Sequence, residues 1–125
     1  MKPGPQGDRL YLLHMLECIE RMDEYTRAGR EAYITSRLIQ DPVVRNLQVM
    51  SESSQRLSNA LKQAEPSVPW RAISGFRNVL VHGYLGADLG IVWRVVERDI
   101  PPLRIALRRI VESQDGASTS NGNEG

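Results

Sequence analysis

The chain has 125 residues, 41% of them hydrophobic and 25% charged, a balance that supports one globular domain with its own core. A net charge of +1 does not by itself mark a nucleic-acid binder, and a single cysteine excludes an internal disulfide and any cysteine-rich metal site. The opening MKPGPQG lacks the apolar run of a secretory leader, and no stretch reaches the ~18 apolar residues of a membrane span, so a soluble, cytoplasmic protein without membrane contact is expected.

Residues 1–7 hold two prolines and two glycines and are expected to be disordered. A helical domain is then expected over 8–112. Asp8 reads as the cap of a first helix with the stripe Leu12, Leu16, Ile19 and Met22, stopped near Gly29. A short helix follows over 30–39. In DPVV, Asp41 reads as a cap and Pro42 as the first residue of a long helix. That helix carries Val43, Leu47, Met50, Ser54, Leu57 and Leu61 at alternating spacings of four and three, a seam for a neighbouring helix or a second subunit. Ser51, Ser53 and Ser54 are small enough for close helix approach.

PSVPW ends the long helix and starts the next, with Ser67 as cap and Trp70, Ile73, Phe76 and Leu80 as its buried side. HGYLGADLG interrupts the chain with three glycines. A last helix begins near Asp88, breaks at RDIPPL, and restarts with Asp99 as cap and two prolines in its first turn. The tail 113–125 has no apolar residue larger than alanine and is expected to be disordered. No stretch alternates as a strand would. The fold expected is all-α: an antiparallel four-helix bundle with a short additional helix, forming a homodimer.

Chemistry concentrates in RNVLVHGY, Arg77 to Tyr84. Asn78 and His82, four apart, share a helix face. Arg77 and His82, five apart, are separated by about 140° on an ideal helix. They serve one site if the helix ends at His82 and Gly83 releases it, or if they meet across a two-fold axis. The structural alternative is a histidine at the negative end of a helix dipole with an ordinary glycine stop. The chemical reading is RNA cleavage without a metal. Histidine can act as base toward a ribose 2′-hydroxyl or as acid toward the leaving oxygen, and arginine suits the developing phosphorane charge. Asn78 can orient the imidazole or bind a non-bridging oxygen. No Ser-His-Asp, phosphate-loop, dinucleotide or zinc pattern competes, and no cofactor is expected.

Other residues read as structural by default. His14 and Glu52 are solvated helix positions with a lesser reading as site neighbours, and Cys18 is a small buried hydrophobe. Trp70 and Trp93 sit at core spacing. The 16 basic residues are 14 arginines and 2 lysines, a bias that a G- and C-rich genome explains more readily than phosphate contact. Arg104, Arg108 and Arg109 extend a positive rim or simply face solvent.

RNVLVHGY resembles the Arg-polar-His motif of the HEPN superfamily, and more narrowly the Arg-x4-His-x-Tyr motif of HepT-like proteins. The likeness extends to DRLYLLHMLECIERMDEY, LIQDPVVRNLQVMSESSQRLS, PWRAISGFRNVLVHGY and DLGIVWRVVERDIPPL, covering nearly all of Asp8 to Leu107 in family order. The resemblance implies a dimeric helical bundle with a composite site, acting as a metal-independent ribonuclease toxin on cellular RNA such as tRNA or mRNA. It implies Arg77 and His82 as the catalytic pair, Asn78 as their polar companion, and Tyr84 as the hydroxyl AMPylated by a nucleotidyltransferase antitoxin. Two departures stand out: Gly83 replaces a commonly acidic residue, and SESS, retaining Glu52, replaces a Gly-Glu-Ala pattern. In VRNLQVM, a faint echo of the motif, Met50 stands where the histidine would be, so it is not a second site. The alternative is a non-catalytic HEPN module that binds nucleotide or RNA, or scaffolds a nucleotidyltransferase.

Overall fold

A computed structural model describes the backbone of residues 5–83 and 89–124 and the side chains of residues 7–76, 78 and 89–116. Among the described residues seven α-helices follow one another: α1 (Pro5–Thr26), α2 (Arg30–Thr35), α3 (Arg37–Gln55), α4 (Asn59–Ala64), α5 (Trp70–Gly83), α6 (Leu89–Arg94) and α7 (Ile100–Glu124). A π-helical turn, Val95–Asp99, joins α6 to α7. The described residues contain no strand, and none of their helices is long and apolar enough to cross a membrane.

The core follows from the apolar spacing. On α1, Leu12, Met15, Ile19 and Met22 recur every three or four residues and are all but fully buried. On α3, Val43, Leu47 and Met50 are likewise inaccessible. Each such side chain contributes roughly 1.5–3 kcal/mol on burial. The central helix is α3, which packs against both α1 and α5, while α1 also packs against α7. Serines permit this double contact. Ser51 and Ser54 are buried, yet their hydroxyls are satisfied within the helix, Ser51 donating to the Leu47 carbonyl (3.0 Å) and Ser54 to that of Ser51 (2.6 Å).

Several local expectations need correction. Asp8 does not cap α1, which opens earlier, at Pro5. Its buried carboxylate instead accepts from the Ser58 backbone N–H (2.7 Å) and the Ser58 hydroxyl (2.6 Å), which in turn accepts from the Leu61 N–H (3.2 Å) as the cap of α4. The predicted long helix is therefore two, broken at residues 56–58, although Leu57 stays buried as its spacing required. The start of α3 also lies upstream of Asp41. Ser36, in extended conformation, ends α2, and the Ile39 and Gln40 N–H groups both donate to its carbonyl. Buried Gln40 then donates to the carbonyls of Tyr33 and Ile34, both at 2.9 Å, closing the end of α2. Pro42 is left inside α3, where its missing N–H deprives the carbonyl of Leu38, a residue 87% exposed.

Gly29 has φ +100°, the left-handed region expected of a helix-stopping glycine, and its N–H returns to the Thr26 carbonyl at 2.9 Å. At RDIPPL the chain widens into the π turn and does not unwind, and Pro101 and Pro102 fall in the first turn of α7. The last buried hydrophobic residue described is Val111. Beyond Val111, α7 continues as helix to Glu124, and Arg9 pairs with Asp115 at 2.7 Å. Extending an existing helix adds one hydrogen bond per residue without a new nucleation cost.

Candidate active site

The motif lies on α5, whose register the core sets. Ile73 and Phe76 are buried, while Arg71, Ala72 and Asn78 are exposed. The start of α5 is pinned by the indole N–H of Trp70, which donates to the Glu65 carbonyl (3.1 Å), and by the Ile73 N–H on the Pro69 carbonyl (3.1 Å). Pro69 thus precedes the helix by one residue. Val68, nearly inaccessible, plugs the turn.

Helical backbone continues unbroken through Arg77, Asn78 and His82 to Gly83. The positions of Arg77 and His82 therefore retain the separation of about 140° around one axis. Helical backbone thus runs one residue past His82. The side chains of Arg77, Leu80 and His82 lie outside the described residues, as does Tyr84.

The next described residue after the motif segment is Leu89, the first of α6, and it is held firmly. The hydroxyl of Tyr33 donates to the Leu89 carbonyl at 2.9 Å. Tyr33 is fully buried, and burial pushes its phenol up to about 12. Its ring lies 5.3 Å from that of Trp93, tilted by 36°. Leu89, the start of α6, is thus tied to the core by Tyr33. Tyr33 had no sequence signature beyond a lone tyrosine in a short helix after a glycine.

The secondary candidates resolve as follows. His14 is exposed on α1, with its Nδ1 3.3 Å from the Ser53 hydroxyl of α3, a cross-helix link. Glu52 is exposed and accepts from the Gln48 amide at 3.4 Å along its own helix. Cys18 is buried, and its thiol is held above the usual range, first by desolvation and then by Glu17. Trp93 is half-buried in helix packing, as is Trp70. The positive rim on α7 does not form as drawn from the sequence. Arg104 pairs with Asp23 of α1 and Arg109 with Glu65 at 2.7 Å. Arg108 shares a basin of about 390 Å³ between α1 and α7 with Arg27, Glu20 and Glu24, so its surroundings are mixed in charge.

An all-helical chain with a motif of this kind on one helix defines a class, and comparison with known proteins narrows it. The sequence model of the family described as ribonuclease HepT-like matches residues 15–110, from within α1 to within α7. The chain belongs to this family, within the HEPN superfamily. It is 35% identical over 108 residues to a protein of Methanocaldococcus jannaschii named as a gamma-glutamylcyclotransferase and candidate RNase, covering 86% of this chain and 49% of that relative. The chain therefore spans about half the length of that relative. It is also 35% identical over 95 residues to a protein of Thermococcus cleftensis named "Probable ribonuclease HepT", covering 75% of this chain and 86% of the relative. A second M. jannaschii protein, named as a candidate RNase, is 30% identical over 97 residues, covering 77% and 89% respectively. No solved structure matches the chain.

Proposed function

We propose that this protein is an endoribonuclease that cleaves RNA without a metal, using Arg77 and His82 with Asn78 in support. The observation that carries this reading is the family match across residues 15–110, which takes in α5 and all three of these residues. In the proposed reaction the ribose 2′-oxygen attacks the adjacent phosphorus and the P–O5′ bond breaks, giving a 2′,3′-cyclic phosphate and a 5′-hydroxyl. His82 takes the 2′-proton or supplies one to the departing oxygen, and Arg77 stabilises the pentacoordinate phosphorane.

Unbroken helix through residue 82 supports a site shared by two subunits. Two groups on opposite flanks of one helix converge most simply when the arginine of one subunit faces the histidine of the other. The same reading makes the protein the toxin of a toxin–antitoxin pair, acting on tRNA or mRNA. A nucleotidyltransferase antitoxin silences it by AMPylating Tyr84. Anionic nucleotide attached two residues from His82 repels RNA phosphates and fills the cleft.

Cleavage of tRNA and mRNA by the purified chain, compared with His82→Ala, tests the reaction. Loss of a general acid or base is expected to slow it by about 10²–10⁴-fold. Equal inertness of both proteins toward RNA, with equal harmlessness on expression, returns the chain to the class of non-catalytic binding modules. For Tyr84, incubation with the partner and ATP is expected to add the mass of AMP to wild type and not to Tyr84→Phe.

A further inference from the structure

The exposed face of α5 extends well beyond the motif. Arg71, Asn78 and His82 are seven and eleven residues apart in register, so at 100° per residue their backbone positions fall within about 20° of one line along the helix. Arg71 and Asn78 are exposed, whereas Ile73 and Phe76 on the other side are buried. α5 contains no aspartate or glutamate, so this line is cationic and polar from end to end. Elsewhere on the described surface Arg9, Arg21, Arg104 and Arg109 are each paired with a carboxylate. Arg71 belongs to none of those pairs.

We propose that Arg71 is an RNA-contact residue, and that the line along α5 on which the positions of Arg71, Asn78 and His82 fall is a track for the single strand flanking the cut. The inference rests on the ribonuclease reading of His82. Eleven residues of helix rise about 16 Å. A stacked strand carries one phosphate per roughly 3.4 Å along its axis, so Arg71 meets a phosphate about four or five positions from the one being cleaved. Guanidinium is suited to such a contact because it binds phosphate oxygens in pairs without a change of protonation. Arg71 thereby sets affinity and substrate length, and takes no part in bond making.

The test separates binding from cleavage. Binding of a single-stranded 2′-O-methyl RNA, which has no free hydroxyl to attack, is measured against salt for the full chain, Arg71→Gln, Arg71→Lys and Arg45→Gln. Arg71→Gln is expected to weaken binding several-fold and to reduce the salt slope by about 0.7, the share of one phosphate contact on a single strand. Arg71→Lys restores the slope, and Arg45→Gln, which removes an equal exposed charge from α3, leaves it unchanged. In cleavage, Arg71→Gln raises KM with little change in kcat on long substrates, and the penalty vanishes on substrates trimmed to one or two nucleotides either side of the cut. An unchanged slope for Arg71→Gln, or an equal drop for Arg45→Gln, overturns the track whether or not RNA is cut. An Arg71-dependent slope in a chain that never cleaves RNA overturns the ribonuclease reading and leaves the track standing.

Discussion

Asp8 and Ser58 lie fifty residues apart in sequence, yet the carboxylate holds both the hydroxyl and the backbone N–H of the serine. Ser58→Ala removes the hydroxyl that caps α4 and leaves one buried carboxylate oxygen without its donor. The expected cost is about 1–3 kcal/mol, read by chemical denaturation. Gly29→Ala meets open space, since nothing lies within 4 Å of an added Cβ, but its φ of +100° is unfavourable for alanine, so a loss of about 1–2 kcal/mol is expected from the backbone alone. Tyr33 links stability to pH. Its phenol is raised to about 12 when folded, so the unfolded chain loses this proton first. The contribution is fully present below about pH 10 and is lost as pH rises toward 12, on the order of 3 kcal/mol by the upper end. Cys18, also raised, acts in the same direction. Denaturation of Tyr33→Phe across that range is expected to show a shallower decline from a lower starting stability. The proposed site was legible in the sequence because Arg77, Asn78, His82 and Tyr84 form a contiguous motif. Tyr33 and Asp8 were not, because their partners are a backbone group 56 residues away and a serine fifty residues away.

Among the helices, apolar spacing located the buried faces better than the ends. The stripe of Val43, Leu47, Met50 and Leu57 is buried as the period of 3.6 demands, yet the helix that carries it is interrupted at 56–58 without disturbing the stripe. A continuous pattern thus concealed a break at which Ser58 caps α4 and is held by Asp8 from α1. The opposite error arose at DPVV, a good local start signal overridden when Gln40 turned back to cap α2. Serine in α3 has a packing role that substitution can isolate. Ser51→Ala keeps the close approach and is expected to be nearly neutral, because the lost hydroxyl bonded only its own helix. Ser51→Leu forces a full side chain into a site with no accessible surface and is expected to cost about 1–3 kcal/mol or more.

The whole molecule combines a helical core, a family match spanning most of the chain, and a motif whose two principal positions are separated by about 140° around one helix. The net charge of +1 does not reveal the local balance, because Arg9, Arg21, Arg104 and Arg109 pair with carboxylates while α5 carries no aspartate or glutamate. The central claim is that Arg77 of one subunit and His82 of the other build one ribonuclease site, and mixing two dead variants tests it most directly. Arg77→Ala and His82→Ala are each expected to cleave RNA at least about 10²-fold more slowly than wild type. Unfolded together and refolded, they form mixed dimers in which one of the two sites has both residues intact. With random pairing, half the dimers are mixed and half their sites are whole, so activity returns to about a quarter of wild type. Two inactive variants that remain inactive after mixing, while forming mixed dimers, contradict the shared site.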